Sequence, residues 1–169
     1  MFFLLLISVP LAAQNKPPLE YQVKAAFLFN FTRFINWPSS AFKSDDAPFV
    51  IGIAGNDPFG SFLDDIVQGE SVGGRPIVIQ RLNDFKDVSN CRILFINSNE
   101  PATIKEILAA TAHRSILTVS DADNFIRLGG AVRFFKKENK IKIEINTFAV
   151  KDSQLEVSSK LLSVVKVYR

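Results

Sequence analysis

PFVIGIAGNDPFG, residues 48–60, is the stretch from which the class of fold is predicted. The apolar run at 49–54 is typical of a buried strand, the residues at 55–58 predict a turn, and a helix is expected to begin at Pro58. A strand, a glycine-containing turn and a helix are also how dinucleotide-binding domains begin. The first question is therefore whether this turn could hold a phosphate.

The turn lacks the features that a phosphate site needs. Its glycines stand at 52, 55 and 60, whereas the dinucleotide fingerprint needs them at its first, third and sixth positions. Pro58 removes one backbone N–H donor, and Asp57 would place a carboxylate where the anion should lie. No Gly-Lys-Ser/Thr sequence follows, so the turn is not a P-loop either. The sequence predicts a Rossmann-like architecture without a nucleotide site or other cofactor site.

The rest of the chain alternates between patterns typical of helices and strands. Helices are expected at 19–36, 58–68, 101–112, from Asp121 to Gly129-Gly130, and at 158–168, and strands at 49–54, 76–82, 92–97, 115–120, 131–136 and 140–146. The last two strands predict a β-hairpin, and the alternation in its second strand places that strand near the sheet edge. The pattern predicts an α/β fold: a mostly parallel sheet with helices on both faces and a C-terminal antiparallel hairpin.

Composition limits the classes of protein to consider. The chain has 169 residues, 47% of them hydrophobic, which is enough for one domain with a core of its own. The formal net charge of +3 comes from well-mixed charges, with no basic block of five or more residues. Nucleic acid is therefore not expected as a partner.

The first residues resemble an export signal. Residues 1–13 are an apolar run too short to span a bilayer, and they end in Ala12-Ala13. We expect a signal peptide at 1–13, a linker at 14–18 and a domain at 19–169, with the mature protein in the periplasm. The alternative is that the run forms a buried N-terminal strand.

The sequence lacks a set of residues suited to catalysis or metal binding. Cys91 and His113 are the sole residues of their types, and their spacing fits neither a zinc site nor a Cys-His pair. No catalytic or metal-binding residue is therefore assigned, and the protein is not expected to be an enzyme. Cys91 is interpreted either as a buried, unreactive thiol or as half of a bridge between two chains.

The opening helix carries aromatic residues on more than its apolar side. Phe29 falls among polar residues, beside Arg33 and Asn36, and Trp37 follows two turns later. Aromatic residues next to an arginine are typical of interface anchors. We expect Phe29, Arg33, Asn36 and Trp37 to bind a partner or a second copy of the chain. The alternative is that a loop at 69–75 covers both aromatic residues.

Several motifs occur in an order that resembles the YfiR family over essentially the whole mature chain. They are FNFTRFINWP at 29–38, GNDPFG at 55–60, GRPI at 74–77, CRILFI at 91–96, LTVSD at 117–121 before Phe125 and Gly129-Gly130, IEIN at 143–146 and LEVSSKLL at 155–162. The resemblance implies a periplasmic, non-enzymatic regulator with an α/β fold.

The resemblance also implies a kind of partner. The best-known member binds the periplasmic part of a membrane diguanylate cyclase and holds it inactive, and its release raises cyclic-di-GMP and favours biofilm growth. The expected partner here is a membrane sensor protein, either a diguanylate cyclase or a histidine kinase, and the chain is expected to form a homodimer. With Cys91 alone, the disulfides of that member have no counterpart. The alternative function is binding of a small ligand in the periplasm, at the carboxyl ends of the parallel strands.

Overall fold

The computed structural model describes residues 16–83 and 85–168, with the side chains of Phe85 and Lys86 excluded. The predicted signal peptide at 1–13 lies outside the described residues, as do the first two residues of the predicted linker.

Helices and strands alternate through the middle of the chain. The helices are α1 (Leu19–Phe34), α2 (Ser61–Val67), α3 (Pro101–Thr111), α4 (Thr147–Asp152) and α5 (Ser159–Leu162), with 3-10 turns at Ser39–Ala41 and Phe85–Asn90. The strands are β1 (Ile35–Asn36), β2 (Phe49–Ala54), β3 (Ser71–Val72), β4 (Arg75–Leu82), β5 (Cys91–Ile96), β6 (Leu117–Ser120), β7 (Val132–Lys137), β8 (Lys140–Asn146), β9 (Glu156–Val157) and β10 (Lys166–Tyr168).

The predicted α/β class and the mostly parallel sheet are confirmed. The main sheet has eight strands in the order β10-β8-β7-β6-β5-β2-β4-β3. Five adjacent strands of this sheet run parallel to one another: β4, β2, β5, β6 and β7. From β2 the chain moves to β4 on one side and then returns to β5 on the other, so the strand order reverses at β2 and β5. In sheets of this kind, ligands bind at the carboxyl ends of the strands beside such a reversal.

Apolar residues on both faces of the central strands bury the sheet. In β2, Ile51 and Ile53 pack with α1 and α2, whereas Val50 and Ala54 pack on the other face with residues of α3. All six β2 residues are buried, as continuous apolar runs in parallel sheets usually are. The prediction of helices on both faces is thereby confirmed.

The predicted β-hairpin is also confirmed. Strands β7 and β8 pair antiparallel from Val132↔Ile145 to Lys137↔Lys140. Glu138 and Asn139 connect them with positive φ angles of 52° and 57°, as a two-residue hairpin turn with the twist of the strands requires.

The opening helix ends earlier than predicted. It stops at Phe34, and Ile35 and Asn36 form β1, which pairs antiparallel with β9 in a separate two-stranded sheet. The backbone N–H of Ser158 donates to the Phe34 carbonyl at 2.9 Å. A pairing with residues more than a hundred positions away thus replaces the last helical turn that the local pattern predicted.

Two other helix predictions were wrong, one in its first residue and one in the helix itself. Helix α2 begins at Ser61 rather than Pro58, because the Asp57 side chain accepts from the Phe59 N–H at 2.7 Å and stabilises a turn there. Between Asp121 and Gly130 the chain forms turns rather than the predicted short helix. The last of these turns is closed by a hydrogen bond from the Gly130 N–H to the Phe125 carbonyl at 2.9 Å.

The helical prediction for 158–168 was correct only in its first part. Helix α5 ends at Leu162, and Lys166–Tyr168 form β10, which pairs parallel with β8. Strand β8 is therefore flanked on both sides and lies next to the edge strand β10, near the sheet edge as its alternation predicted. The carboxylate of Glu144, buried in β8, pairs with Arg133 at 3.1 Å and Lys166 at 2.6 Å. These two cations stabilise the charge that had suggested a solvent-facing strand.

Candidate functional site

Phe29 and Arg33 form one contact on α1. The guanidinium carbon of Arg33 lies 4.7 Å from the centre of the Phe29 ring, and Phe29 is half-buried against the core. Arg33 is 58% exposed, and one of its nitrogens lies 3.6 Å from a Glu70 carboxylate oxygen. Glu70 belongs to the loop that was the alternative explanation for the aromatic residues. The loop reaches Arg33, while part of Phe29 remains accessible to solvent.

Trp37 lies against the first residues of the central strands. Its indole N–H donates to the Arg92 carbonyl at 3.1 Å, and its ring packs edge to face on Phe49 with centroids 4.9 Å apart. Trp37 is thus positioned by β2 and β5, while its neighbour Asn36 is exposed in β1. Of the four residues predicted to bind a partner, Arg33 and Asn36 are exposed, and Phe29 and Trp37 are half-buried.

A buried lysine on α1 was missed by the sequence analysis. Lys24 is 2% exposed, and its ammonium lies 2.6 Å from both a Glu20 and an Asp121 carboxylate oxygen. It also lies 4.3 Å from the centre of the Tyr21 ring, and the Tyr21 hydroxyl donates to Asp121 at 3.2 Å. Asp121 follows β6, so this ion-pair cluster (Glu20, Tyr21, Lys24 and Asp121) joins α1 to the carboxyl edge of the sheet. Lys24 stands four residues before the core residue Leu28, on the same side of the helix. This spacing was the sequence signal that could have predicted its burial.

The cluster keeps its charges. Burial opposes the charged form of Lys24, but hydrogen bonds to Asp121 and Glu20 outweigh it and raise the pKa of the ammonium. Burial and the nearby Asp121 carboxylate raise the pKa of Tyr21. At neutral pH Lys24 is therefore an ammonium and Tyr21 a protonated phenol.

A polar cavity of about 580 Å³ adjoins the ion-pair cluster. Besides the cluster, its walls include Asn97 after β5, Asn99 and Arg133. The cavity lies at the carboxyl ends of the parallel strands, on the β5 side of the reversal in strand order. This is the region where a small ligand was expected under the alternative function. Its size falls within the range of small-molecule sites, roughly 300–1,000 Å³.

His113 and Cys91, the single residues of their types, belong neither to the predicted partner-binding residues nor to the ion-pair cluster. His113 is 81% exposed, and its Nδ1 atom lies 3.4 Å from an Asp152 carboxylate oxygen. Cys91 is fully buried, and burial raises the pKa of its thiol to about 11. Its burial favours the unreactive thiol over a bridge between chains. Within the described part of the chain, no group of three or more His, Cys, Asp or Glu residues could hold a metal ion.

Across residues 16–83 and 85–168, no helix has the length and apolar character needed to cross a membrane.

No curated protein matches the sequence. A solved structure described as a conserved domain protein, from Vibrio cholerae O1 biovar El Tor, is similar with 11% sequence identity and a TM-score of 0.49. The similarity covers 90% of this chain and 60% of that one, so the chain spans less than two thirds of the length of the Vibrio protein.

A family match covers most of the chain. Residues 21–166, from the third residue of α1 to the first residue of β10, match the YfiR/HmsC-like proteins. This is a family of periplasmic regulators in cyclic-di-GMP signalling rather than of enzymes. The motifs in their order and the parallel α/β sheet agree with this match, and the chain belongs to the YfiR/HmsC-like family.

Proposed function

We propose that the protein is an exported, non-enzymatic regulator that binds and represses the periplasmic part of a membrane signalling protein such as a diguanylate cyclase. The observation that carries this proposal is the family match over residues 21–166. Repression through a protein contact needs a docking surface rather than a reaction centre, and we place that surface at the end of α1 and in the residues that follow it.

The proposed docking surface consists of Phe29, Arg33 and Asn36, with Trp37 at its end. Arg33 stacks on a half-buried ring, and its other contact, with Glu70, joins two exposed side chains. Exposed ion pairs typically contribute about 0–1 kcal/mol, so a partner carboxylate can replace Glu70 at little cost. A stacked arginine and aromatic pair is the kind of anchor that supplies most of the binding energy in interfaces.

The test combines partner capture with a repression assay. The mature chain is used to capture membrane proteins from its own host, and the captured cyclase is assayed in vesicles for cyclic-di-GMP synthesis. We expect the wild-type chain to lower synthesis and Arg33→Glu to lose that effect with an unchanged melting temperature. Arg114→Glu reverses an exposed charge outside this surface and serves as the matched control.

Phe29→Ala examines the aromatic part of the same surface. We expect it to fold and to lose repression, whereas Phe148→Ala, which removes an aromatic side chain that is 67% exposed, keeps repression. Sedimentation of the same variants examines the proposed homodimer. Full repression and dimerisation by both Arg33→Glu and Phe29→Ala would show that the docking surface is elsewhere. Failure to capture any membrane signalling protein would contradict the function itself.

A second candidate function is the binding of a small polar ligand, favoured by the cavity beside the ion-pair cluster. Native mass spectrometry of the protein purified from the periplasm is the direct measurement. A bound small molecule that is lost in Asn99→Trp, which would fill the cavity, supports this function. A mass equal to that of the chain alone argues against it.

A further inference from the structure

A second cleft lies on the sheet face that α3 covers in part. It has a volume of about 450 Å³. Val50 in β2 and Val78 in β4 are paired neighbours and form its floor, and Phe42 and Pro48 form a wall. Val78 remains 39% exposed although the next residue along β4, Ile79, packs toward the core on the opposite face. This part of the sheet therefore offers apolar surface to a ligand rather than to a helix.

The charged side chains known to line this cleft are both cationic, Lys43 and Arg92. Arg92 is only 7% exposed. Its guanidinium donates to the backbone carbonyls of Ala41 and Ser89, and the contact with Ser89 is 2.8 Å long. No carboxylate of the described residues pairs with it. Burial lowers the pKa of Arg92, because it removes water from the charged guanidinium.

The wall of the cleft is held in place by a second arginine. Arg75 stacks on Phe42, with its guanidinium carbon 4.0 Å from the ring centre, and donates to the carbonyls of Ser44 at 2.7 Å and Ala47 at 2.9 Å. The Arg92 guanidinium carbon lies 5.6 Å from the centre of the same ring. The aromatic wall thus lies beside two cations, and neither forms a close ion pair with a carboxylate of the described residues.

We propose that this cleft binds a small aromatic carboxylate, with its ring on Val50 and Val78 against Phe42 and its carboxylate toward Arg92 and Lys43. An anion there would add a charged partner to Arg92, which among the described residues contacts backbone carbonyls, and an arginine fork matches a carboxylate in geometry. The apolar floor accepts the ring, which is the combination typical of small-molecule sites. This site shares no residue with the docking surface or with the cavity at the carboxyl edge, although Trp37 of the docking surface donates to the Arg92 carbonyl.

The test uses naphthoate as the probe and fluorescence of anilinonaphthalene sulfonate, an anionic aromatic dye, as the readout. We expect the purified mature chain to bind the dye and naphthoate to displace it. Naphthamide, which is neutral, and naphthylmethylamine, which is cationic, should displace it at least about tenfold less well, since tenfold corresponds to one charge-assisted hydrogen bond. Equal displacement by all three would overturn the proposal.

Three variants locate the site. Val78→Trp fills the cleft without removing a hydrogen bond and should abolish displaceable binding. Lys43→Gln should weaken naphthoate binding about threefold, as loss of an exposed charge pair does, while the matched control Lys142→Gln on β8 leaves it unchanged. Arg92→Gln should weaken binding most, and if it fails to fold, the first two variants still decide. Wild-type binding by both Val78→Trp and Lys43→Gln would overturn the proposal.

Discussion

Gly129 and Gly130 precede β7, and each is required for a different reason. Gly129 has a φ of +102°, which an L side chain adopts only with strain. Gly130 has an ordinary φ, but a Cβ atom added there would lie 2.2 Å from a carbon of the buried Phe125 ring. One glycine is needed for its backbone angle and the other for the close approach of an aromatic side chain.

Alanine substitutions should separate these two reasons. Gly129→Ala should lower the free energy of unfolding by about 1–2 kcal/mol, through backbone strain. Gly130→Ala should lower it by up to about 3 kcal/mol, because Phe125 has to move in a packed core. Urea unfolding followed by Trp37 fluorescence measures both changes.

Gly73→Ala is the matched control for strain, since Gly73 has a φ of +56° with open space around it. It should behave like Gly129→Ala. If Gly130→Ala unfolds at the wild-type urea concentration, the close contact with Phe125 does not constrain this position.

Cys91 provides a pH-dependent prediction. Its pKa is raised to about 11 in the folded protein, because the buried thiolate would lose its hydration. In the unfolded chain the thiol loses its proton above about pH 8.5, so unfolding at higher pH releases a proton and becomes easier. Between about pH 9 and pH 11, this residue alone should reduce stability by roughly 1.4 kcal/mol per pH unit.

Cys91→Ala removes that titration while other groups still titrate. The difference in unfolding free energy between wild type and Cys91→Ala should therefore change with pH above about 9 and be constant from pH 6 to 8. A constant difference across the whole range would mean that the thiol is not buried as described.

Helix α1 is attached to the sheet by the ion-pair cluster as well as by apolar contacts. Lys24 is buried and contacts two carboxylates, whereas the Glu20 side chain is 39% exposed. Removing one partner of a buried pair is costly because the remaining charge has lost its compensation. Removing an exposed partner costs little because water replaces it.

Asp121→Asn leaves the buried Lys24 ammonium with only the part-exposed Glu20 carboxylate, and it should therefore lower the free energy of unfolding by about 3 kcal/mol or more, the range for breaking buried pairs. Glu20→Gln, the matched change at the exposed end of the same cluster, should lower it by less than about 1 kcal/mol. Chemical denaturation at neutral pH measures both. Equal losses from the two variants would contradict the buried position of Lys24.

The chain as a whole is proposed to act outside the cytoplasm. The apolar run at 1–13 ends in Ala12-Ala13, as a cleaved export signal would. Intact-mass measurement on protein from the periplasmic fraction should give a first residue near Gln14. Protein retained in the cytoplasm with Met1 in place would contradict export.

Sequence alone determined the strands that are buried on both faces. Phe49–Ala54 is a continuous apolar run, and Cys91–Ile96 is apolar apart from Arg92, as is typical of strands inside a parallel sheet. The hairpin at β7 and β8 and the absence of a phosphate-binding glycine pattern could also be read from residues close together in the chain. The same holds for the ordered motifs by which the YfiR family was recognised.

Only the tertiary structure decided the short segments and the buried charges. Ile35 leaves the helical pattern because β9 pairs with it, and β10 forms because β8 provides an edge, both over distances that no local window covers. Lys24 is buried because Asp121, 97 positions away, compensates its charge. Local preferences of a few residues amount to tenths of a kcal/mol each, so a long-range pairing or a buried partner overrides them.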